Sequence, residues 1–403
     1  MHVAATHTDF PLYAQPRLKR LADSLTGRGD RLTVIEVAGA GGIYSFSQKR
    51  TSRQGWQVLF ENAEVEDLRP STISQALFAK LDDLRPDVVL AGGIAFPSGA
   101  TSVRWCRTRK RGVVIMDAVR ALDVPRSRLV NAIKRRIYAN VDAMLVPAPG
   151  HDASYVWWGI PPHRIFHGLN VVDNEWFARN AEAARKDTGP LPFSCRPQSP
   201  FFLGVGRQNP NKNWDCALQA YARYRSEASL PWDLVLVGDG PSRGALEHAV
   251  AVRRIEGVHF VGFLTQEALC KYYAAAAALV LPSCRDAWPN VVNEAMACGL
   301  PVLVTNAAGC VPTIVKDGEN GWSFDPHRPD DLATRMLALS RLEKSQLKAM
   351  GDKSREIVSH WGLERFVDGA TEAIDACKSV RRGFRSPIDR LILTAWKGRY
   401  RPL

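Results

Sequence analysis

The chain has 403 residues, 46% hydrophobic and 23% charged, with 53 lysines and arginines against 41 acids and a formal net charge of +12. That length exceeds what one hydrophobic core serves and suits two domains. The composition excludes a disordered or collagen-like chain, and no apolar run reaches the roughly 18–20 residues of a membrane-crossing helix. The opening stretch MHVAATHTDFPLYAQPRLKR lacks the basic-then-apolar order of a secretory signal, so a cytoplasmic protein is expected. Eight cysteines (106, 195, 216, 270, 284, 298, 310 and 377) form no C-x-x-C pair and no Cys/His cluster of ligand spacing. They read as reduced thiols, with no metal site.

Short apolar runs alternate with amphipathic helical stretches along the chain. Strands are predicted near 32–38, 56–60, 87–91, 112–116 and 142–146, with helical patterns at 15–26, 71–84 and 124–139. Strands this apolar, separated by helices, predict a parallel sheet covered on both faces. Residues 186–200, with four prolines and no periodicity, read as a linker. The alternation then restarts at 201–206, 233–238, 258–263, 278–283 and 301–306. The expected class is therefore α/β, two Rossmann-like parallel-sheet domains facing across a cleft. Ligands of such sheets bind outside the carboxyl ends of the strands. The predicted boundaries are 1–185, the linker, a second domain at 201–362, a helix at 363–378 and a basic tail at 379–403.

Charge is concentrated in two places. Residues 104–136 carry Arg104, Arg107, Arg109, Lys110, Arg111, Arg120, Arg126, Arg128, Lys134, Arg135 and Arg136 against Asp117 and Asp123. The tail carries Lys378, Arg381, Arg382, Arg385, Arg390, Lys397, Arg399 and Arg401 against Asp389. Either these patches meet a polyanion or they are a solvated basic surface. The stacking aromatics of a nucleic-acid binder are missing, so nucleic acid is not expected as a partner. In the tail, Ser386-Pro387 reads as a helix cap, and Ile388, Leu391, Ile392, Ala395 and Trp396 repeat at helical spacing. Two readings stand: a helix lying on an anionic membrane, or a helix docking on its own protein.

The chemistry-bearing residues follow the second-half strands. Gly204-Val205-Gly206-Arg207 is followed by Lys212, placing two cations where a diphosphate would need neutralising. It is not a dinucleotide fingerprint, since Asn209 stands where the third glycine would fall. Gly238-Asp239-Gly240-Pro241 makes a tight turn into a helix. In 281–305, a short helix at 290–298 is stopped by Gly299, and its amino end offers free amides to phosphate. Asp286 precedes this helix, and Asn290 and Glu294 share one of its faces. Carboxylates beside a phosphate-binding helix end suit hydroxyl-rich ligands such as sugar and ribose.

In that order, VGRQNPNK at 205–212, LVGDGP at 236–241, VHFVGF at 258–263, PSCRDAWPNVVNEAMACGLPVL at 282–303 and DGENGWSF at 317–324 resemble the donor domain of GT-B glycosyltransferases, family 4 (group 1). The first half resembles the family more loosely, through 145–177. The resemblance implies a retaining, metal-independent glycosyltransferase of cell-surface polysaccharide or glycoconjugate assembly. It would use a nucleotide-sugar donor, no cofactor, and a saccharide or lipid-linked acceptor at the inner face of the membrane. Arg207 and Lys212 match the diphosphate-binding pair. Glu294 matches the ribose-binding second acid of a Glu-x7-Glu signature. Asp286 stands at the first acid, with a reach one methylene shorter than the family's glutamate. Gly206, Gly240, Phe263, Trp288, Pro289, Asn290 and Val291 complete the implied donor site. The family's glycine-rich loop after the first strand has no counterpart in THTDFPLYAQP; Gly92-Gly93 and Gly39 to Gly42 are the alternative turns. Asp117, directly after GVVIM, is the acceptor-side candidate, and His151, His163 and His167 read as structural. A non-catalytic sugar-nucleotide binder and a sugar-nucleotide epimerase are the competing classes.

Overall fold

The computed structural model describes residues 1–10, 12–41, 50–187, 191, 200–396 and 398. Cys195, Gly42, most of the expected linker, and Lys397, Arg399 and Arg401 of the tail lie outside them. Two units are present, one of residues 1–171 with 363–403, the other of 172–362.

The first unit is built on seven parallel strands: β1 (His2–His7), β2 (Arg31–Ala40), β3 (Trp56–Glu64), β4 (Val88–Gly92), β5 (Gly112–Met116), β6 (Ala143–Val146) and β7 (Ile165–His167). Their order is β3-β2-β1-β4-β5-β6-β7. Side chains alternate between the two faces, as the period of a strand requires. Val3, Ala5, Val88, Leu90 and Val114 meet α1 (Ala14–Gly27) and the late helix spanning Leu363–Cys377. Ala4, Val89, Ala91, Val113 and Ile115 meet the opposite layer. That layer contains α2 (Pro70–Leu84), α3 (Pro97–Arg109), α4 (Arg128–Tyr138) and α5 (Asp152–Trp157). β1 and β7 have no counterpart among the predicted strands. HVAATH and IFH are short and end in histidine, so their apolar signal is weak.

The second unit begins with α6 (Asn174–Lys186). The sequence placed this helix in the first domain, with the boundary at 185; the structure divides the chain at 171/172. The reason is packing. Phe177 and Ala181 are buried on α6, and the Phe177 ring meets Tyr273 edge-on at 6.4 Å. The sheet has six parallel strands, β8 (Phe201–Val205), β9 (Asp233–Val237), β10 (Val258–Gly262), β11 (Ala278–Leu281), β12 (Val302–Thr305) and β13 (Gly321–Phe324). Their order is β10-β9-β8-β11-β12-β13. Around them lie α7 (Trp214–Glu227), α8 (Arg243–Arg253), α9 (Gln266–Ala275), α10 (Asn290–Ala297), α11 (Pro329–Ser340) and α12 (Lys344–Ser359).

The chain then returns to the first unit through α13 (Leu363–Cys377), whose Phe366, Val367, Ala370, Ile374 and Cys377 fill the core below α1. The tail helix α14 (Pro387–Ala395) follows, and the Ser386 hydroxyl accepts from the Asp389 amide at 3.2 Å. The stripe expected on this helix is split. Leu393, Ile392 and Trp396 pack into the first-unit core, and the Trp396 indole donates to the Ile94 carbonyl at 2.9 Å. Ile388 and Leu391 are 56% and 70% exposed. The docked face centres on 389, 392, 393 and 396, rotated from the predicted stripe because Asp389 pairs with Arg136 on α4. Among the described residues no helix is long and apolar enough to cross a membrane. The seven described cysteines are free, and all but Cys284 are buried.

Candidate active site

Strand order reverses between β8 and β11, so the chain leaves these neighbours in opposite directions and opens a crevice at their carboxyl ends. The turns there are stitched together by backbone and amide groups. The Asn213 amide donates to the carbonyls of Pro282 and Pro326 at 3.1 and 2.8 Å. Asn211 donates to the Arg285 carbonyl at 3.0 Å, and the Cys284 amide returns a bond to the Asn211 carbonyl at 2.9 Å. Asn213 itself has φ +57, which allows the 3-10 turn at 210–212 to stop and α7 to start. Gln208 joins the next turn, donating to the Gly238 carbonyl at 3.0 Å. A Cβ at Gly238, where φ is +129, would lie 2.1 Å from the Gly206 carbonyl oxygen. The two turns thus touch backbone to backbone, which only glycine permits.

Within this frame Lys212 Nζ donates to Asp286 Oδ2 at 2.7 Å, and both side chains are about four-fifths buried. The Asp286 carbonyl accepts from the Gly309 amide at 2.8 Å, so the turn after β12 holds it as well. Asp286 and Lys212, predicted from separate segments, are therefore direct partners. Arg207 leaves from the same strand end but is exposed, and it pairs with no carboxylate among the described residues. Glu294 lies fully buried on α10, accepting from the Tyr273 hydroxyl at 2.9 Å. The sequence reading assigned this carboxylate to a ribose; in the fold it is buried and bonded to Tyr273 of α9. Trp288 is buried and donates to Asn293 Oδ1 at 3.0 Å, its ring 5.6 Å from that of Trp361. Pro289 caps α10, and Asn290 and Val291 form its half-buried first turn. The helix leaves from the β11 end, so its free amides and positive dipole end sit at the crevice. Gly240 packs on the Gln208 backbone, and Phe263, 48% exposed, follows β10.

Four polar atoms here are buried without a hydrogen-bond partner among the described residues: Gln208 Oε1, Ser283 Oγ, Asn290 Oδ1 and Asn293 Nδ2. A buried polar atom with no partner is destabilising, and a polar ligand at the strand ends would relieve it. Sequence reasoning missed Gln208, Asn211, Asn213, Ser283 and Tyr273. None has a charge or spacing that marks it; only Asn213, at a helix start, carried a local signal.

A second cluster stands at the carboxyl edge of the first sheet, within the first unit. Asp117 accepts from the Tyr138 hydroxyl and the Val119 amide, each at 3.1 Å. Burial and the neighbouring Asp117 raise the Tyr138 phenol well above its usual range, so it stays a donor. The glycine pair after β4 makes the room: a Cβ at Gly93 would lie 3.2 Å from the Asp117 carboxyl carbon, and one at Gly92 2.2 Å from the His7 ring. His7, at the end of β1, was not singled out from the sequence. Burial holds its imidazole below the usual range, and its Nδ1 lies 3.8 Å from Asp9. The loop after β1 is fixed by Glu36, which accepts from the Phe10 amide and the Trp56 indole at 2.6 Å and pairs with Arg50 at 3.0 Å. His167 pairs with Asp152 at 2.8 Å, and His163 is exposed on a 3-10 turn.

Residues 199–341 match the family described as glycosyl transferases group 1. The D-inositol 3-phosphate glycosyltransferase of Streptomyces bingchenggensis is 30% identical over 212 residues, covering 50% of this chain and 44% of that protein. The chain spans about half the length of the curated relatives it matches. Among solved structures, a sucrose-phosphate synthase from Thermosynechococcus elongatus superposes with a TM-score of 0.73 at 18% identity, over 93% of this chain and 98% of that one. Anabaena HepE in complex with UDP and glucose gives 0.71 at 16% identity, over 93% and 100%. The fold is thus GT-B, and the segment similar to the group 1 glycosyl transferases lies in its second unit.

Proposed function

We propose that the chain is a retaining, metal-independent glycosyltransferase that moves a sugar from a nucleotide-sugar donor to a saccharide or lipid-linked acceptor. Its setting in this reading is cell-surface polysaccharide or glycoconjugate assembly at the cytoplasmic face of an anionic membrane. The observation that carries it is the Lys212–Asp286 pair at the β8/β11 crevice, among buried polar atoms that lack partners. The UDP and glucose named with HepE, which shares the fold, supports a nucleoside diphosphate sugar as the donor.

Breaking the anomeric C–O bond builds positive charge on the sugar and negative charge on the departing diphosphate. Lys212, Arg207 and the amino end of α10 stabilise that negative charge, the role a metal ion plays in other enzymes. Asp286 accepts from a donor-sugar hydroxyl, and Glu294 from the ribose diol. The acceptor hydroxyl attacks from the leaving-group side, so configuration is retained. A leaving-group phosphate oxygen takes its proton. In the first unit, Asp117, held by Tyr138, is the proposed acceptor-binding residue.

A panel of UDP-, GDP- and ADP-sugars screened by thermal shift is the test. One nucleotide class should stabilise the chain, and Glu294→Ala should abolish the shift. Asp117→Asn should keep the shift and lower transfer. No shift with any saturating donor, together with an unchanged Glu294→Ala, overturns the reading. Product from donor alone indicates an epimerase, and tight binding without transfer a non-catalytic partner. NMR of the product's anomeric proton and activity in EDTA test retention and metal independence.

A further inference from the structure

The basic stretch 104–136 does not form one patch. Arg107 is buried on Asp142, Arg109 pairs with Asp82, Arg111 with Asp87, and Arg120 with Asp123. Arg126 donates to the carbonyls of Ala121 and Val124, and Lys134 is buried over the Trp158 ring at 4.2 Å. Arg104 donates to Ser74 at 2.9 Å and lies over the Phe78 ring. The tail's Arg382 is likewise tied to Asp142. These cations are structural. Apart from Lys110, what remains is the outward face of α4, where 128, 131, 132, 135 and 136 recur at helical spacing and 139 follows its end.

That face, with Trp157 of α5 and the start of α14, lines a groove of about 750 Å³. Four arginines border it (Arg128, Arg135, Arg136 and Arg385), against one carboxylate, Asp389. Asp389 is buried and, among the described residues, its one ion pair is with Arg136 at 3.3 Å. Arg128, Arg135 and Arg385 pair with no carboxylate among the described residues. Arg135 instead stacks over the Trp157 ring at 4.8 Å. Exposed apolar side chains adjoin these positions: Leu129 beside Arg128, Val156 beside Trp157, and Ile388 with Leu391 one turn apart on α14.

We infer that this groove is the surface by which the protein docks on an anionic phospholipid bilayer, its arginines holding headgroup phosphates while Leu129, Trp157, Ile388 and Leu391 enter the interface. Like charges gathered on one groove repel one another until an anion neutralises them. Guanidinium matches phosphate oxygens in a two-point bond, and it tolerates partial loss of water better than ammonium. Leucine, isoleucine and tryptophan around such a patch are what a bilayer interface rewards and a soluble polyanion does not. The inference rests on the membrane-face part of the reading above and makes the groove, more than the end of the tail, its anchor.

The full chain should sediment with vesicles containing phosphatidylglycerol and not with phosphatidylcholine alone, and added salt should weaken the binding. Arg128→Glu with Arg135→Glu should lower partitioning at least about tenfold, at roughly fivefold per arginine lost near the surface. Leu391→Ser should lower it as well, and Arg179→Glu, a charge reversal on α6 of the second unit, should not. Melting temperature and the nucleotide-sugar shift should be unchanged in all of these variants. Equal loss with Arg179→Glu, no loss with the paired variant, or equal binding to uncharged vesicles overturns the inference. So does saturable binding of inorganic phosphate or an RNA oligomer at the groove without vesicle binding. Vesicle binding that persists while no donor gives a shift removes the glycosyltransferase reading and leaves this one standing.

Discussion

Lys212 and Asp286 stand 74 residues apart in sequence and 2.7 Å apart in the fold, joining the turns after β8 and β11. The pair holds the ammonium in place, partly desolvated, at the crevice. In the proposed reaction a donor diphosphate takes over Lys212 from Asp286.

Removing the cation should therefore act on the chemical step. Lys212→Met is expected to lower kcat about 10²–10³-fold, the range for loss of one preorganised charge at a developing anion. Asp286→Asn should raise the donor KM more than it lowers kcat. The double variant should show strong non-additivity in kcat/KM, since the two groups touch. Additive losses would place them in separate roles.

The Tyr273 hydroxyl donates to the buried Glu294 carboxylate at 2.9 Å. Tyr273→Phe leaves a buried charge short of a donor, and stability should fall by about 1–3 kcal/mol. Chemical denaturation measures this, and donor affinity should weaken in parallel if Glu294 binds ribose.

Gly238 and Gly244 make a contrasting pair. Gly238→Ala places a methyl group 2.1 Å from the Gly206 oxygen at φ +129, so a loss of at least about 2 kcal/mol is expected. Gly244, on the first turn of α8, has nothing within 4 Å of a built Cβ, and Gly244→Ala should gain about 0.5 kcal/mol. Melting curves of both decide it.

Lys134 supplies a pH signature. Burial lowers its pKa from 10.5 to about 8. Below pH 8 both states bind the proton and the folded state carries the full penalty. Between about 8 and 10.5 the unfolded chain still binds a proton that the folded chain has released, so stability rises with pH across that window. Lys134→Met should raise stability at pH 7 by about 2–3 kcal/mol and remove this rise. A parallel pH profile for the two proteins would show that Lys134 stays charged when folded.

Much of the fold is local chemistry and was therefore legible. Ten strands announce themselves because a strand buried on both faces must be apolar along its whole length, and VVIM or VLVT can be little else. The α10 amino end and the Ser386 cap are likewise written in a few adjacent residues. Arg207, Lys212 and the turn before α10 could be picked out because charge, glycine and proline punctuate the strand ends; the rest of the proposed donor set came from the family resemblance. Other features depend on residues far apart in the chain. Whether α6 belonged to the first or second unit turned on Phe177 finding Tyr273, about a hundred positions away. Tail orientation depended on Asp389 meeting Arg136. Which of eleven basic residues stayed free of acids depended in part on those at 82, 87, 123 and 142 reaching Arg109, Arg111, Arg120 and Arg107. Periodicity can say that a helix has an apolar side; it cannot say which neighbour will cover it, because packing partners are selected by the assembled core.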